Sequence, residues 1–419
     1  MSLDAMGHLL SILNTPLLPV IQSIVDEGTI QLVAVLAQRD TINVSAYWRF
    51  LELVTTVAPY HVDVLLEANV PTIIFSKMAQ RSTDVLNLHN ISIQEMSMRA
   101  LSAIVHERNG PGTTIDFSDE AHDMECVFCF MHMQPRLPDI NAACMVELLM
   151  QLTVKYPETV ARMCAIGLIR TVNEIMLRGF PVYYVETYCH AVSLFEALAS
   201  DTTNLRALAS ADPYCTLRVA MQRFPEQIDI QVKGMRTIAA LADFNGTARR
   251  GAVPANIIAL VLHAMRTHPG CIGQCAGVCA IAKLLHSWRN VNLVVTQGGV
   301  FLILRALDNH IGDRELMLAG LNAIDCITLR IKTNGVLTRK VQRVGVFLVR
   351  CLLDILDAYD DLSVLRQVLR VFSNFFLSSP EMRELCRGLG RIEAIIHARQ
   401  LGIKDKKMAQ KFVHMLGKV

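Results

Sequence analysis

The stretch AHDMECVFCFMHMQ, residues 121–134, sets two cysteines between two histidines. His122, Cys126, Cys129 and His132 are residue types that hold zinc in tetrahedral sites. On a helix, 122, 126 and 129 share a stripe, whereas 132 lies about a quarter-turn away. The outer two are ten positions apart, about 15 Å of helical rise. Zinc bonds are about 2.0–2.3 Å long, so one rigid helix cannot close these four side chains around an ion. A site would need ligands from a second helix. The stretch reads instead as a core helix, with Ser118 as its N-cap and Asp119 and Glu120 in its first turn.

A second cluster, CIGQCAGVC, spaces Cys271, Cys275 and Cys279 four residues apart. It resembles the iron–sulfur triad of radical enzymes only loosely, because its last gap holds three residues where that motif holds two. The small residues Gly273, Ala276 and Gly277 point to a tightly packed helix face. Catalytic patterns are missing: no phosphate-binding glycine loop, G-x-S-x-G elbow or H-E-x-x-H occurs. His106 and Glu107 lie in the loop HERNGPG without a third ligand at zinc spacing. The expectation is a protein that is not an enzyme and has neither a cofactor nor a metal site.

The elements that would position these residues follow from composition and repeats. The chain has 419 residues, 52% apolar and only 6% aromatic, a profile that suits packed helices. Its apolar runs, such as NIIALVLHAM, fall short of the roughly 20 residues that cross a bilayer, so no transmembrane segment is expected. No secretory signal is read at the start MSLDAMGHLL. The 12 cysteines lie mostly in apolar helical runs, as reduced thiols of an intracellular protein would. Localisation is expected to be cytoplasmic, with cytoskeleton or nucleus as alternatives. Residues 1–200 hold 11 basic and 21 acidic side chains, and the remainder 29 and 17. The two halves therefore carry net charges of −10 and +12.

One unit recurs along the chain. In QCAGVCAIAKLLHSWRNVNLVVTQGGVFLILRAL, residues 274–307, a small-residue helix meets a polar break at 286–290. A short apolar helix follows, Gly298 and Gly299 turn the chain, and a new apolar helix starts. Glycine at that turn permits the left-handed backbone that ends one helix and reverses direction. The same turn is marked by Gly28, Asn69, Gly167, Asp212, Gly251, Gly345 and Gly388. Asn204 precedes Asp212 by eight residues, as Asn290 precedes Gly298. The spacings are 41, 98, 45, 39, 47, 47 and 43 residues, the 98 being two periods across a unit that lost its glycine. Each unit is apolar on too many sides to stand alone and must stack on its neighbours.

A period in the low-to-middle forties with about three helices per unit resembles the armadillo repeat, whose third helix carries an AL-x-N-L pattern. The resemblance covers essentially the whole chain. It implies an all-α fold, a right-handed α-solenoid superhelix of about eight three-helix repeats with capping helices. Residues 1–27 would form an N-terminal partial repeat or cap, 28–385 the repeats, and 386–419 the last repeat end and a capping helix.

In armadillo peptide binders such as the nuclear import adaptor, an asparagine of the third helix clamps the partner backbone. A tryptophan four residues earlier lines side-chain slots. Here only Asn374 keeps the asparagine; its counterparts are Thr56, Ala103, Gln151, Ala197, Ala240, Lys283 and Cys326. Four residues earlier stand Glu52, Arg99, Glu147, Ser193, Arg236, Cys279, Asn322 and Arg370, with no tryptophan. An import adaptor for basic signals is therefore not the reading.

Charge takes the place of the ladders. Arg236, Lys283, Arg366 and Arg370 would lie on the inner face of the basic half, beside Asn374. The loop RIKTNGVLTRKVQR adds Arg330, Lys332, Arg339, Lys340 and Arg343 with no acid. These ten residues are the expected partner-binding set. The function implied is a non-catalytic scaffold or adaptor that binds an acidic or amphipathic protein segment along the groove. A cytoskeletal or ciliary assembly would suit it. The alternative is nucleic-acid or polyanion binding by the basic half, although that loop lacks the aromatics on which bases stack.

Overall fold

The computed structural model describes residues 28–38, 44–81, 167–177, 185–247, 253–331 and 335–378, with scattered helical positions between 93 and 164. All are helix or connecting turn, with no strand among the described residues. The quartet at 121–134, Ser118, Gly251, Gly388, Gln151, Glu147, Lys332, and the expected caps at 1–27 and 386–419 lie outside the described residues. The chain divides into two compact units, 1–211 and 212–419.

In the first unit α1 (Thr29–Gln38), α2 (Val44–Glu67) and α3 (Val70–Arg81) pack on one another. α2 is a third helix and the next first helix fused across a kink, with Pro59 inside it and His61 at φ −142°. Proline lacks the amide proton that the helix ladder needs there, so the direction changes without a loop. The unit continues through α4 (Leu168–Leu177), α5 (Val185–Ser200) and α6 (Thr202–Ser210). Asp201 caps α6, accepting hydrogen bonds from the amides of Thr203 and Asn204 at 2.9 Å each. Tyr188, Phe195 and Leu198 form the inner stripe of α5, fully buried.

The second unit runs α7 (Tyr214–Arg223), α8 (Ile228–Thr247), α9 (Ala255–Thr267), α10 (Cys271–Leu284), α11 (Trp288–Thr296) and α12 (Gly299–Asn309). It ends with α13 (Arg314–Ile331), α14 (Gly335–Gln342), α15 (Gly345–Ala358) and α16 (Leu362–Ser378). The third helices α8, α10, α13 and α16 pack in series, α8 on α10, α10 on α13 and α13 on α16. Three glycines in the same register let each third helix sit close against the second helix of its own repeat. A Cβ at Gly234 would sit 2.7 Å from Met221 Sδ, one at Gly277 2.3 Å from Met265 Cγ, and one at Gly320 2.5 Å from Leu307 Cδ2. Each glycine thus takes a large apolar side chain of its own repeat's second helix against its backbone.

Repeats are also tied at their corners. Gln231 donates to the carbonyls of Met221 and Phe224 at 2.8 and 2.9 Å, closing the end of α7. Gln274 does the same for α9 through Met265 and His268, at 2.6 and 2.7 Å. The carbonyls left over at a helix end thereby find donors inside the protein. His268 Nε2 donates to Pro225 O at 2.7 Å and His310 Nε2 to Pro269 O at 2.9 Å, each reaching back one repeat. Nothing in the sequence pattern singled these four residues out.

The turn markers resolve clearly. Positive φ occurs, among the described residues, at Gly28 (+64°), Asn69 (+55°), Gly167 (+109°), Asp212 (+50°) and Gly298 (+79°), all positions marked in the sequence. The carbonyl just before two of them is held from the preceding repeat: Asn173 Nδ2 donates to Ala211 O at 2.8 Å, and Arg266 to Gln297 O at 2.9 Å. Asn290 donates to Leu284 O at 2.7 Å, which closes α10 and explains an asparagine eight residues before the turn. Gly345 departs from expectation. It is the buried first residue of α15, preceded by Val344 at φ −102°, so that turn needs no left-handed residue. The segment read as a basic loop is also corrected: its described residues are the last turn of α13 and the helix α14, whose Val341 is buried at 1% exposure.

No single described helix is long and apolar enough to cross a membrane. The pair α11 and α12 passes only when joined across a 74° bend, and its apolar stripes are buried in the stack.

Candidate partner-binding face

The register taken for the armadillo asparagine lies on the accessible side of the third helices wherever it is described. Thr56, Ala103, Ala197, Ala240, Cys326 and Asn374 are half-buried and Lys283 is exposed. Four residues earlier, Arg99, Arg236, Asn322 and Arg370 are exposed, and Glu52, Ser193 and Cys279 half-buried. Positions one helical turn apart share a side of the helix, so the two registers form one continuous stripe on each helix. Two of its hydroxyls turn back on their own helix: Thr56 donates to Glu52 O at 2.8 Å and Ser193 to Cys189 O at 2.7 Å.

In the second unit this stripe runs across α8, α10, α13 and α16, and its cations differ in what they face. Arg236 and Arg366 are exposed. Lys283 on α10 pairs with Asp243 on α8 at 2.9 Å, and His286 stands 3.9 Å from the same carboxylate. Arg370 on α16 pairs with Asp325 on α13 at 2.8 Å, and there the carboxylate is only 4% exposed. Asn374 donates to the other oxygen of Asp325 at 2.6 Å, and Gln367 completes the shell at 3.5 Å. A buried carboxylate is tolerated only when its lone pairs are satisfied, and three side chains of α16 do that here.

Arg370 and Asn374, expected to meet a partner, therefore also hold two repeats together. Asp325 is the residue that sequence reasoning missed. It stands beside Cys326 in IDCIT, and only the packing of α13 on α16 reveals it as the hub.

The second basic group is spread over one helix and its ends. Arg330 is half-buried in the last turn of α13, Arg339 is exposed and Lys340 half-buried in the last turn of α14, and Arg343 is exposed just after it. Cations at helix C-termini oppose the negative end of the helix dipole, which accounts for part of this clustering without a ligand.

The eight described cysteines are all free thiols. They fall into two kinds. Cys351 is 1% exposed and lies 3.8 Å from Leu304 O, packed into the core, where burial pushes its thiol up to about 12. Cys275 and Cys279 are half-buried on the accessible stripe of α10. Their sulfurs and a carboxylate oxygen of exposed Glu315 on α13 all lie within 4.8 Å of one another. Burial, reinforced by the neighbouring sulfur and by Asp313 and Glu315, pushes the Cys275 thiol up to about 12. Cys279 is raised as well, chiefly by burial. Cys271, one turn earlier, donates to Asp313 at 3.1 Å.

No protein-family model matches this sequence, and no curated protein matches it. A solved structure from a study of a phosphorylation switch controlling the interaction between cadherin and beta-catenin is similar over 95% of this chain and 81% of its own. The TM-score is 0.60 and the identity 12%. At that identity the likeness concerns architecture alone, and with the helix order above it shows an armadillo-like fold.

Proposed function

We propose that this protein is a non-catalytic interaction scaffold whose third-helix face in the second unit binds an acidic or amphipathic segment of a protein partner. The observation that supports this most directly is the composition of that face. Exposed Arg236 and Arg366 are interleaved with apolar side chains that remain in solvent, Ile272 on α10 at 64% and Leu329 on α13 at 53%. Cations beside exposed apolar groups fit a segment with acidic and apolar residues. Asp243 and Glu315 share the face with them, which disfavours a nucleic-acid backbone.

The test is a pull-down from lysate of the native cell with wild type and the Arg236→Glu/Arg366→Glu variant. These two are chosen because reversing Arg370 would set a second carboxylate beside buried Asp325 and unfold the junction. Loss of the wild-type partners is expected. An unchanged set would remove the face from consideration, and nucleic acid in the captured material, lost steeply with added salt, would favour the polyanion reading.

A further inference from the structure

We propose that Cys275, Cys279 and Glu315 form a binding site for a thiophilic divalent metal ion of the zinc class, bridging two adjacent repeats. Two thiolates and a carboxylate are a donor set that zinc takes, leaving a fourth position for water or a partner's side chain. The three donor atoms already lie within 4.8 Å of one another. Tetrahedral bonds of about 2.0–2.3 Å place ligands roughly 3.3–3.8 Å apart, so small side-chain rotations close the site. The helix makes this economical. Residues four apart on α10 present both sulfurs on one stripe. Packing of α10 on α13 brings up Glu315 from the first turn of the next third helix.

Exposure and proximity distinguish this pair from a core cysteine. Both sulfurs are half-buried on the accessible stripe, unlike core Cys351, and they lie within 4.8 Å of each other. Cys271 is excluded as a ligand by its bond to Asp313, whose other oxygen accepts from the Leu316 amide at 3.0 Å and caps α13. On binding, each thiol gives its proton to solvent and its sulfur lone pair to the metal; nothing is oxidised or reduced.

The test titrates the full-length reduced chain with cobalt(II), a spectroscopic stand-in for zinc. One equivalent should produce a saturable thiolate-to-cobalt charge-transfer band, competed away by zinc. Cys275→Ser and Cys279→Ser should each remove the band, and Cys271→Ser should keep it. Glu315→Gln should raise the midpoint at least as much as outer-shell changes do at other metal sites, about 10- to 100-fold. In wild type, zinc should shield Cys275 and Cys279 from alkylation, read by peptide mass mapping, and leave Cys271 and Cys326 reactive. This readout needs no variant to fold. Absence of a saturable band would overturn the site. So would its persistence in the Cys275→Ser/Cys279→Ser double variant, an unmoved midpoint in Glu315→Gln, or zinc protection confined to other cysteines.

Discussion

The junction between α8 and α10 and the junction between α13 and α16 are built from the same materials with opposite consequences. Each has a third-helix cation reaching an aspartate on the preceding third helix, Lys283 to Asp243 at 2.9 Å and Arg370 to Asp325 at 2.8 Å. At the first, both side chains are 48% exposed. At the second, the arginine is half in solvent and the carboxylate 4% exposed. Water screens the first pair and supplies a ready substitute for either partner. It cannot reach Asp325, so that carboxylate depends on the protein for every lone pair. Burial of one partner, rather than the length of the bond, decides whether a face residue is replaceable.

The largest effect is expected from Arg370→Ala. It should cost about 3 kcal/mol in denaturant unfolding, at the low end for breaking a buried pair, because Asn374 and Gln367 remain on Asp325. Asn374→Ala should cost about 2 kcal/mol, the range for a hydrogen bond to a charged acceptor. A double-mutant cycle between the two should show coupling, since they share one carboxylate. Gly277→Ala probes the close approach of α9 and α10 in the same terms. Its methyl would meet Met265 at 2.3 Å, and a loss of about 1 kcal/mol is expected once the flexible thioether has moved. Lys283→Ala should change stability by no more than about 0.5 kcal/mol, and a larger loss would erase the contrast between the junctions.

Acid sharpens the same comparison at the start of α16. Ser363, Arg314 and the backbone amides of Ser363 and Val364 hold the Asp361 carboxyl well below the usual carboxylate range. A folded-state value below the unfolded one stabilises the fold above the unfolded value, near pH 4, and that contribution fades as pH falls through the folded value. Wild type should therefore lose stability progressively below about pH 4 in a way that Asp361→Asn does not, measured by thermal unfolding across pH 2–6. Identical acid limbs would detach Asp361 from the junction.

Much of the fold was legible because its marks are local. A left-handed residue at a helix end is a property of a few consecutive φ and ψ angles. Glycine, asparagine and aspartate tolerate it best, so Gly28, Asn69, Gly167, Asp212 and Gly298 announce themselves. Gly345 misled for the complementary reason: a glycine also serves where a helix start is buried, and residue type alone does not separate the two. The basic segment at 330–343 misled because its charge was weighed above everything else, so the helix Gly335–Gln342 was read as part of a loop. The accessible register of the third helices could be counted out along the sequence, as far as Lys283, Cys326 and Asn374. What those residues touch could not.

Among the described residues, the sequence by itself thus determined the helical layers, the positions of most turns and which side of each third helix is accessible, all short-range consequences of residue size and backbone freedom. Only the tertiary structure decided that Arg370 and Asn374 serve Asp325, that Lys283 meets Asp243, and that Glu315 comes to Cys275 and Cys279. Those partners lie some 36 to 49 residues apart. Their meeting depends on how far one third helix slides and rotates against the next, which is set by close contacts such as Gly277 on Met235 of α8, not by local sequence.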